Sequence, residues 1–218
     1  MRVLDLFSGT GSATEAFRRL GHEVVTVDVL LDNRADIRGS VLDADVQAEI
    51  LGRGPFDFVW ASPPCQAFSV ASLSLNWNKD GTPKSQLAGN GERLVSAALG
   101  IIASSGAPYW VMENPRGMLR TRPVVAHLER RTVTYCRLGE SHMKPTDLWG
   151  KFPPGLLLPN PCTSGAPCHE AAPRGARTGT QGIQGARERG RVPYALSLIL
   201  ALSLTPTQSD LFPKEVSP

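Results

Sequence analysis

Four short apolar runs, at residues 2–7, 23–29, 57–61 and 109–113, dominate the first half of the chain, and each breaks off at Gly, Asp or Pro. Between them lie stretches with the period of a helix. Residues 13–20 place Ala13, Ala16, Phe17 and Leu20 on one side and stop at Gly21, and residues 46–51 and 92–104 behave similarly. Strands that alternate with helices pair in parallel through right-handed crossovers, and a parallel sheet needs both faces covered. The pattern predicts an α/β fold, a doubly wound, mostly parallel sheet with helices on both faces.

The second half reads differently. Residues 131–136 (RTVTYC) alternate like a strand, whereas residues 144–190 are rich in Pro, Gly, Ser and Thr and predict an irregular region. Residues 192–204 read as one closing helix with Pro193 in its first turn, where a missing N–H does no harm. Residues 73–90 read as a mobile loop. The expected organisation is a sheet domain over 1–137, a small irregular region over 138–191, a closing helix over 192–204 and a disordered tail over 205–218. With 218 residues, 41% of them hydrophobic, there is material for one core and a small appendage. The run at 192–204 is too short to span a bilayer, and the opening MRVLDLFSG has no signal-peptide pattern. Four cysteines in a chain of this size point to reduced thiols or a metal, and to a cytoplasmic protein.

Net charge of +3 conceals a gradient. Residues 1–66 carry six basic and ten acidic side chains, residues 116–151 eight basic and three acidic, and residues 174–191 five arginines against Glu188. An acidic first third followed by two basic stretches suits a nucleic-acid binder with a separate cofactor end; a solvated charged surface is the plainer alternative.

The residues at the strand ends carry the chemistry. A strand running into Gly9 and Gly11 lets backbone N–H groups approach a ligand at a helix start, although many α/β loops need glycine only for positive φ. Asp28 closes the next strand, where a carboxylate can bind ribose hydroxyls, and Asp43 is placed for an adenine amine. Together they suggest an adenosine-containing cofactor at the C-terminal edge of the sheet. Cys65, in SPPCQAFS, sits on a proline-stiffened loop just past a buried strand, as a nucleophile or as a structural thiol. Glu113 ends the YWVME run, where desolvation favours a neutral, proton-donating carboxyl; a loop acid is the alternative.

The order DLFSGTGS, Asp28, Asp43, SPPCQAFS and ENP resembles the C5-cytosine DNA methyltransferase family over roughly residues 1–120. The resemblance implies a Rossmann-like domain binding S-adenosylmethionine. Phe7, Ser8, Gly9, Thr10 and Gly11 would lie around the methionine end, Asp28 and Val29 at the ribose, Asp43 and Ala44 at the adenine, and Pro63 nearby. Cys65 would add to C6 of a cytosine flipped out of double-stranded DNA while Glu113 serves N3, with the loop at 73–90 closing over the base. Gln66, Ser69 and Asn114 would border that base.

This chain departs from the family's pattern in three places. It has ENP where ENV is usual, it lacks the Gln-x-Arg-x-Arg strand, and RGRVP at 189–193 replaces Gly-Asn-Ser-Val. Arg131 or Arg137 stands nearest the missing arginines, and Lys144, Arg174 and Arg177 would suit DNA phosphates. The short second half, with KPTDLWG, resembles the compact phage and prophage branch, a setting that includes restriction-modification. Two rival expectations are a tRNA cytosine-5 methyltransferase and a non-catalytic S-adenosylmethionine- or DNA-binding module. Cys136, Cys162, Cys168 and His169 are ligand types for a structural zinc ion, although Cys-x5-Cys-His is an unusual spacing. Residues 208–212 (QSDLF, Gln208 to Phe212) resemble the peptide by which bacterial proteins dock on the sliding clamp. Compact length suggests a monomer.

Overall fold

A computed structural model describes residues 1–30, 35–171, 180, 183 and 185–205. Among these, seven strands form one sheet: β1 (Arg2–Leu6), β2 (Glu23–Asp28), β3 (Ile37–Arg38), β4 (Phe58–Ala61), β5 (Tyr109–Pro115), β6 (Arg130–Thr134) and β7 (Pro145–Lys151). Their order is β3-β2-β1-β4-β5-β7-β6. Strands β1 to β5 run parallel, and β7 is antiparallel to both its neighbours. The helices are α1 (Glu15–Arg19), α2 (Ala44–Gly52), α3 (Leu73–Asn76), α4 (Gln86–Ser105), α5 (Ala186–Gly190) and α6 (Tyr194–Leu204). This is the expected doubly wound, mostly parallel α/β sheet.

Period-two alternation sends neighbouring side chains into two cores. Leu4, Leu6, Val59, Ala61, Met112 and Trp149 pack toward α2 and α4 with Ile50, Val95, Ile101 and Ile102. Val3, Phe58, Trp60, Val111 and Leu148 pack toward α1 and α6 with Phe17, Leu196 and Leu200. Burial on both faces explains why the parallel strands read as nearly continuous apolar runs. The strand order reverses across β1, between β2 and β4, and ligands in open α/β sheets bind outside the carboxyl ends of strands at such a point.

Two expectations need correction. The irregular reading of 144–190 misses β7, which lies between β5 and β6 and is buried along nearly its whole length. Its Thr146 and Asp147 are fully buried polar residues, so no alternation was visible. Pro145 opens the strand, a position proline tolerates. Nor is 73–90 a free loop. It holds α3, a buried Trp77 that bridges to Pro83, and the start of α4 at Gln86. Helix α4 begins earlier than expected, its first turns hidden from the sequence by Gly89, Asn90 and Gly91, poor helix formers. Ser85 caps it, accepting from the Ala88 N–H at 3.1 Å. Among the described residues no helix is long and apolar enough to cross a membrane.

Candidate active site

In the turn after β1, Phe7 (φ 60), Gly9 (φ 50) and Gly11 (φ 72) all take left-handed backbone, and Gly11 N–H closes the turn on the Ser8 carbonyl at 2.7 Å. Asp28, at the end of β2, is buried and grips this turn: its Oδ2 accepts from Gly9 N–H at 2.8 Å and its Oδ1 from Leu30 N–H at 2.9 Å. Beside it opens a cavity of about 370 Å³ lined by Phe7, Asp28, Val29, Leu42, Pro64 and Arg93, among others. Apolar walls with a carboxylate at the rim suit the flat base and ribose of an adenosine-containing cofactor. Of the residues expected around such a cofactor, Phe7, Asp28 and Val29 line the cavity. Ser8, Gly9, Thr10 and Gly11 form the turn at its edge, and Asp43 and Ala44 lie exposed at the start of α2, just past the lining residue Leu42. Pro64 rather than Pro63 faces the cavity. Asn90, Arg93 and Leu94 of α4 line it too, and no motif in the sequence marked them.

Cys65 follows β4. The strand hands over through Ser62, whose N–H donates to the Leu6 carbonyl at 3.1 Å, and the two prolines set Cys65 at the start of a single 3-10 turn, Cys65–Ala67. That turn is held from behind. Trp77 Nε1 donates to the Ala67 carbonyl at 2.7 Å, Asn76 Nδ2 donates to the Gln66 carbonyl at 3.1 Å, and Phe68 stacks on Trp77. Gln66 is exposed, and Ser69 is half-buried with its Oγ accepting from Ala71 N–H at 3.3 Å. The segment after β5 closes the other side, with Met118 N–H donating to the Phe68 carbonyl at 2.8 Å.

Gly117 makes that approach possible, since a Cβ there would overlap the Phe68 carbonyl oxygen. The obstacle is backbone, so Gly117→Ala must displace the cysteine loop. We expect it to destabilise the protein by about 2 kcal/mol, which lowers the thermal midpoint by roughly 4–8 °C. Differential scanning calorimetry checks this; an unchanged midpoint would contradict the packing described.

Glu113 and Asn114 sit side by side near the end of β5, both buried. Asn114 Nδ2 donates to the Pro63 carbonyl at 2.8 Å and so ties the glutamate's strand to the cysteine's loop. Glu113 Oε1 accepts from the Tyr135 hydroxyl at 3.1 Å. Burial pushes the Glu113 carboxyl up, against the opposing pull of the Lys144 cation and the Tyr135 hydroxyl. Burial also pushes the Cys65 thiol up, and the Glu113 charge adds to this, while Lys144 and Arg189 favour the thiolate.

Lys144 is the residue that sequence reasoning misplaced. Expected at phosphates, it is buried instead, its Nζ donating to the Arg189 carbonyl at 2.8 Å and lying 4.4 Å from the centre of the Tyr135 ring. Its backbone is in the left-handed region (φ 27), a strained conformation for a lysine and one that tends to occur at functional sites. Burial lowers its pKa, and Glu113 and Cys65 raise it again. Electrostatic coupling therefore links three titratable groups, Cys65, Glu113 and Lys144, from three separate segments. The place of Lys144 as the first residue of KPTDLWG was the only signal.

The remaining basic residues divide. Arg120 is engaged bidentately by the buried Asp147 at 2.9 and 2.7 Å, and Arg122 bonds Glu92 at 2.7 Å while stacking over Trp77. Arg131 bonds Glu129 and the Leu156 carbonyl and lies over Phe152, whereas Arg116, Arg130, Arg137 and Lys151 are exposed. Arg174, Arg177 and residues 208–212 lie outside the described residues. The chain at 189–193 reaches the segment just past the turn after β1: Val192 N–H donates to Ser12 Oγ at 3.0 Å. Apart from this site, Cys136, Cys162, Cys168 and His169 converge, with their ligand atoms all within 4.8 Å of one another.

A family model described as C-5 cytosine-specific DNA methylase matches residues 1–128. A Frog virus 3 (isolate Goorha) protein named "Probable DNA (cytosine-5)-methyltransferase" is 37% identical over 155 residues, covering 68% of this chain and 70% of the viral one. Among solved structures, a protein encoded within an E. coli prophage matches with a TM-score of 0.46 and 16% identity, over 69% of this chain and 46% of that one. The S. pombe Dnmt2 methyltransferase matches with a TM-score of 0.46 and 14% identity, over 69% of this chain and 48% of that one. This chain thus spans about half the length of these solved proteins.

Proposed function

Because the chain belongs to the C-5 cytosine-specific DNA methylase family, we propose that it methylates C5 of a cytosine flipped out of double-stranded DNA, with Cys65 as nucleophile. The observation that carries this reading is the meeting of Cys65, Glu113 and Lys144 at the sheet edge next to the adenosine-sized cavity. S-adenosylmethionine, when bound, supplies an electrophilic methyl group; Asp28, Phe7 and Val29 would hold its adenosine and the turn at 8–11 its amino-acid end.

Cytosine C5 is too weak a nucleophile to take a methyl group unaided. The Cys65 thiolate adds to C6 and forms a C–S bond, while Glu113 gives its proton to N3, so electron density moves to C5. Once C5 carries the methyl group, loss of the C5 proton to water, expulsion of the Cys65 thiolate and return of the N3 proton to Glu113 restore the ring. Charges in the pocket are matched to this sequence. As Glu113 gives up its proton its charge grows, and the Lys144 cation stabilises that charge and the departing thiolate alike. Tyr135 holds the carboxylate in place.

Exposed Arg116, Arg130, Arg137 and Lys151 supply charge for phosphates. Both the family description and the viral relative's name specify DNA, which favours DNA over tRNA. The test supplies S-adenosylmethionine carrying a labelled methyl group with duplex DNA, single-stranded DNA and tRNA. Label at cytosine C5 of duplex DNA is the expected result. Label confined to tRNA overturns the choice of polymer, and cofactor binding without any label overturns catalysis.

A further inference from the structure

We infer that Cys136, Cys162, Cys168 and His169 form a structural zinc site that fastens the irregular segment at 152–171 to the strand-end turn carrying Tyr135. The cluster lies apart from the methyl-transfer pocket and does not depend on that reading. Its ligands come from two chain segments. Cys136 is in the 3-10 turn Tyr135–Leu138 after β6, and the other three lie on the segment beyond β7.

Four of the six distances between the ligand atoms run from 3.2 to 3.7 Å, and all six are within 4.8 Å. Cys162 Sγ lies 3.2 Å from Cys168 Sγ and 3.4 Å from His169 Nδ1, and Cys168 Sγ lies 3.7 Å from both Cys136 Sγ and His169 Nδ1. A zinc ion with Zn–S near 2.3 Å and Zn–N near 2.0–2.1 Å sets tetrahedral edges of about 3.8 Å for S···S and about 3.6 Å for S···N. The sulfurs are too far apart for a disulfide, whose S–S bond is about 2.05 Å. Three soft sulfurs and one imidazole select zinc over the oxygen-loving cations. With four protein ligands there is no open position, as a structural site requires.

Local folding explains how an unusual spacing converges. A turn at 163–166, closed by Ala166 N–H on the Thr163 carbonyl at 3.3 Å with Gly165 at φ 85, brings Cys162 back beside Cys168. Cys162 N–H donates to Thr134 Oγ1 at 2.8 Å, and Glu170 N–H to the Ser141 carbonyl at 2.8 Å. The segment at 152–171 brings Phe152, Leu156 and the partly buried Leu158 to the core and little apolar surface beyond them, so a metal is the natural fastening. Tyr135, the Glu113 partner, is the immediate neighbour of the Cys136 ligand.

Metal content of the full chain, purified without chelator, tests this with neither DNA nor cofactor present. We expect one zinc per chain by mass spectrometry of the elements. The cobalt-substituted protein is expected to show tetrahedral d–d bands and a sulfur-to-cobalt charge-transfer band. Cys162→Ser should lose the metal and these bands, and Cys65→Ala should keep both. If Cys162→Ser does not fold, the wild-type stoichiometry and cobalt spectrum decide alone. Absence of bound metal with all four thiols titrating as free, a Cys162–Cys168 disulfide by mass, or iron in place of zinc would each overturn the inference.

Discussion

Replacing Cys65 with alanine is expected to lower methyl transfer to duplex DNA by about four orders of magnitude or more, because no other group in the pocket can form the bond to C6. Cofactor affinity should stay within a small factor of wild type. The cavity is walled by Phe7, Val29, Leu42 and Leu94 and rimmed by Asp28, and Cys65 is not among its lining residues. The adduct can be seen directly. DNA carrying 5-fluorocytosine cannot lose fluorine from C5 in place of the proton, so wild-type protein should form a complex stable to denaturing electrophoresis. Cys65→Ala should form none. Retention of either the transfer or the trapped complex in Cys65→Ala would remove Cys65 from the mechanism.

Lys144→Met should move the pH dependence as well as the rate. In the proposed mechanism transfer requires Cys65 as thiolate and Glu113 as acid, so activity rises with pH as the thiol ionises and falls as the carboxyl loses its proton. The Lys144 cation favours the charged form of both groups and therefore lowers both pKa values. Its removal should shift both limbs to higher pH, and loss of the charge that stabilises the growing carboxylate and the departing thiolate should lower activity about tenfold or more. Lys144→Arg, which keeps the charge, should recover part of the loss. Alkylation of Cys65 by iodoacetamide, followed on its peptide by mass spectrometry, gives the thiol limb without catalysis. A lysine that only supported the fold would reduce amplitude and leave both limbs where they were.

How much of this was legible depended on where the signal lay. Turn residues at strand ends are local chemistry, so Gly9, Gly11, Asp28, Cys65 and Glu113 could be picked out from neighbours within a few positions. Lys144 could not. Its burial comes from β7 slotting between β5 and β6, a long-range pairing that leaves no period-two trace because Thr146 and Asp147 are as buried as Leu148. The charge count likewise treated Arg120 and Arg122 as available cations, although Asp147 and Glu92, distant in sequence, engage them. In the Cys/His group the residue types were informative and the spacing was not, since the turn at 163–166 overrides linear distance. Asn114 was expected at the base; its Nδ2 reaches the Pro63 carbonyl, a long-range contact that no local motif reveals, and its Oδ1 is buried without a hydrogen-bond partner.

Helix α4 touches two things at once. Asn90, Arg93 and Leu94 face the cofactor cavity, while at Gly91 the helix backbone comes so near the cysteine loop that an added Cβ would lie 2.6 Å from Ala67 Cβ. One stiff rod is therefore the party wall between the room that holds the donor and the room that holds the nucleophile. Neither can be enlarged, tilted or reshaped without the other registering it. A substitution on this helix therefore acts on the cavity and on the Cys65 loop at once.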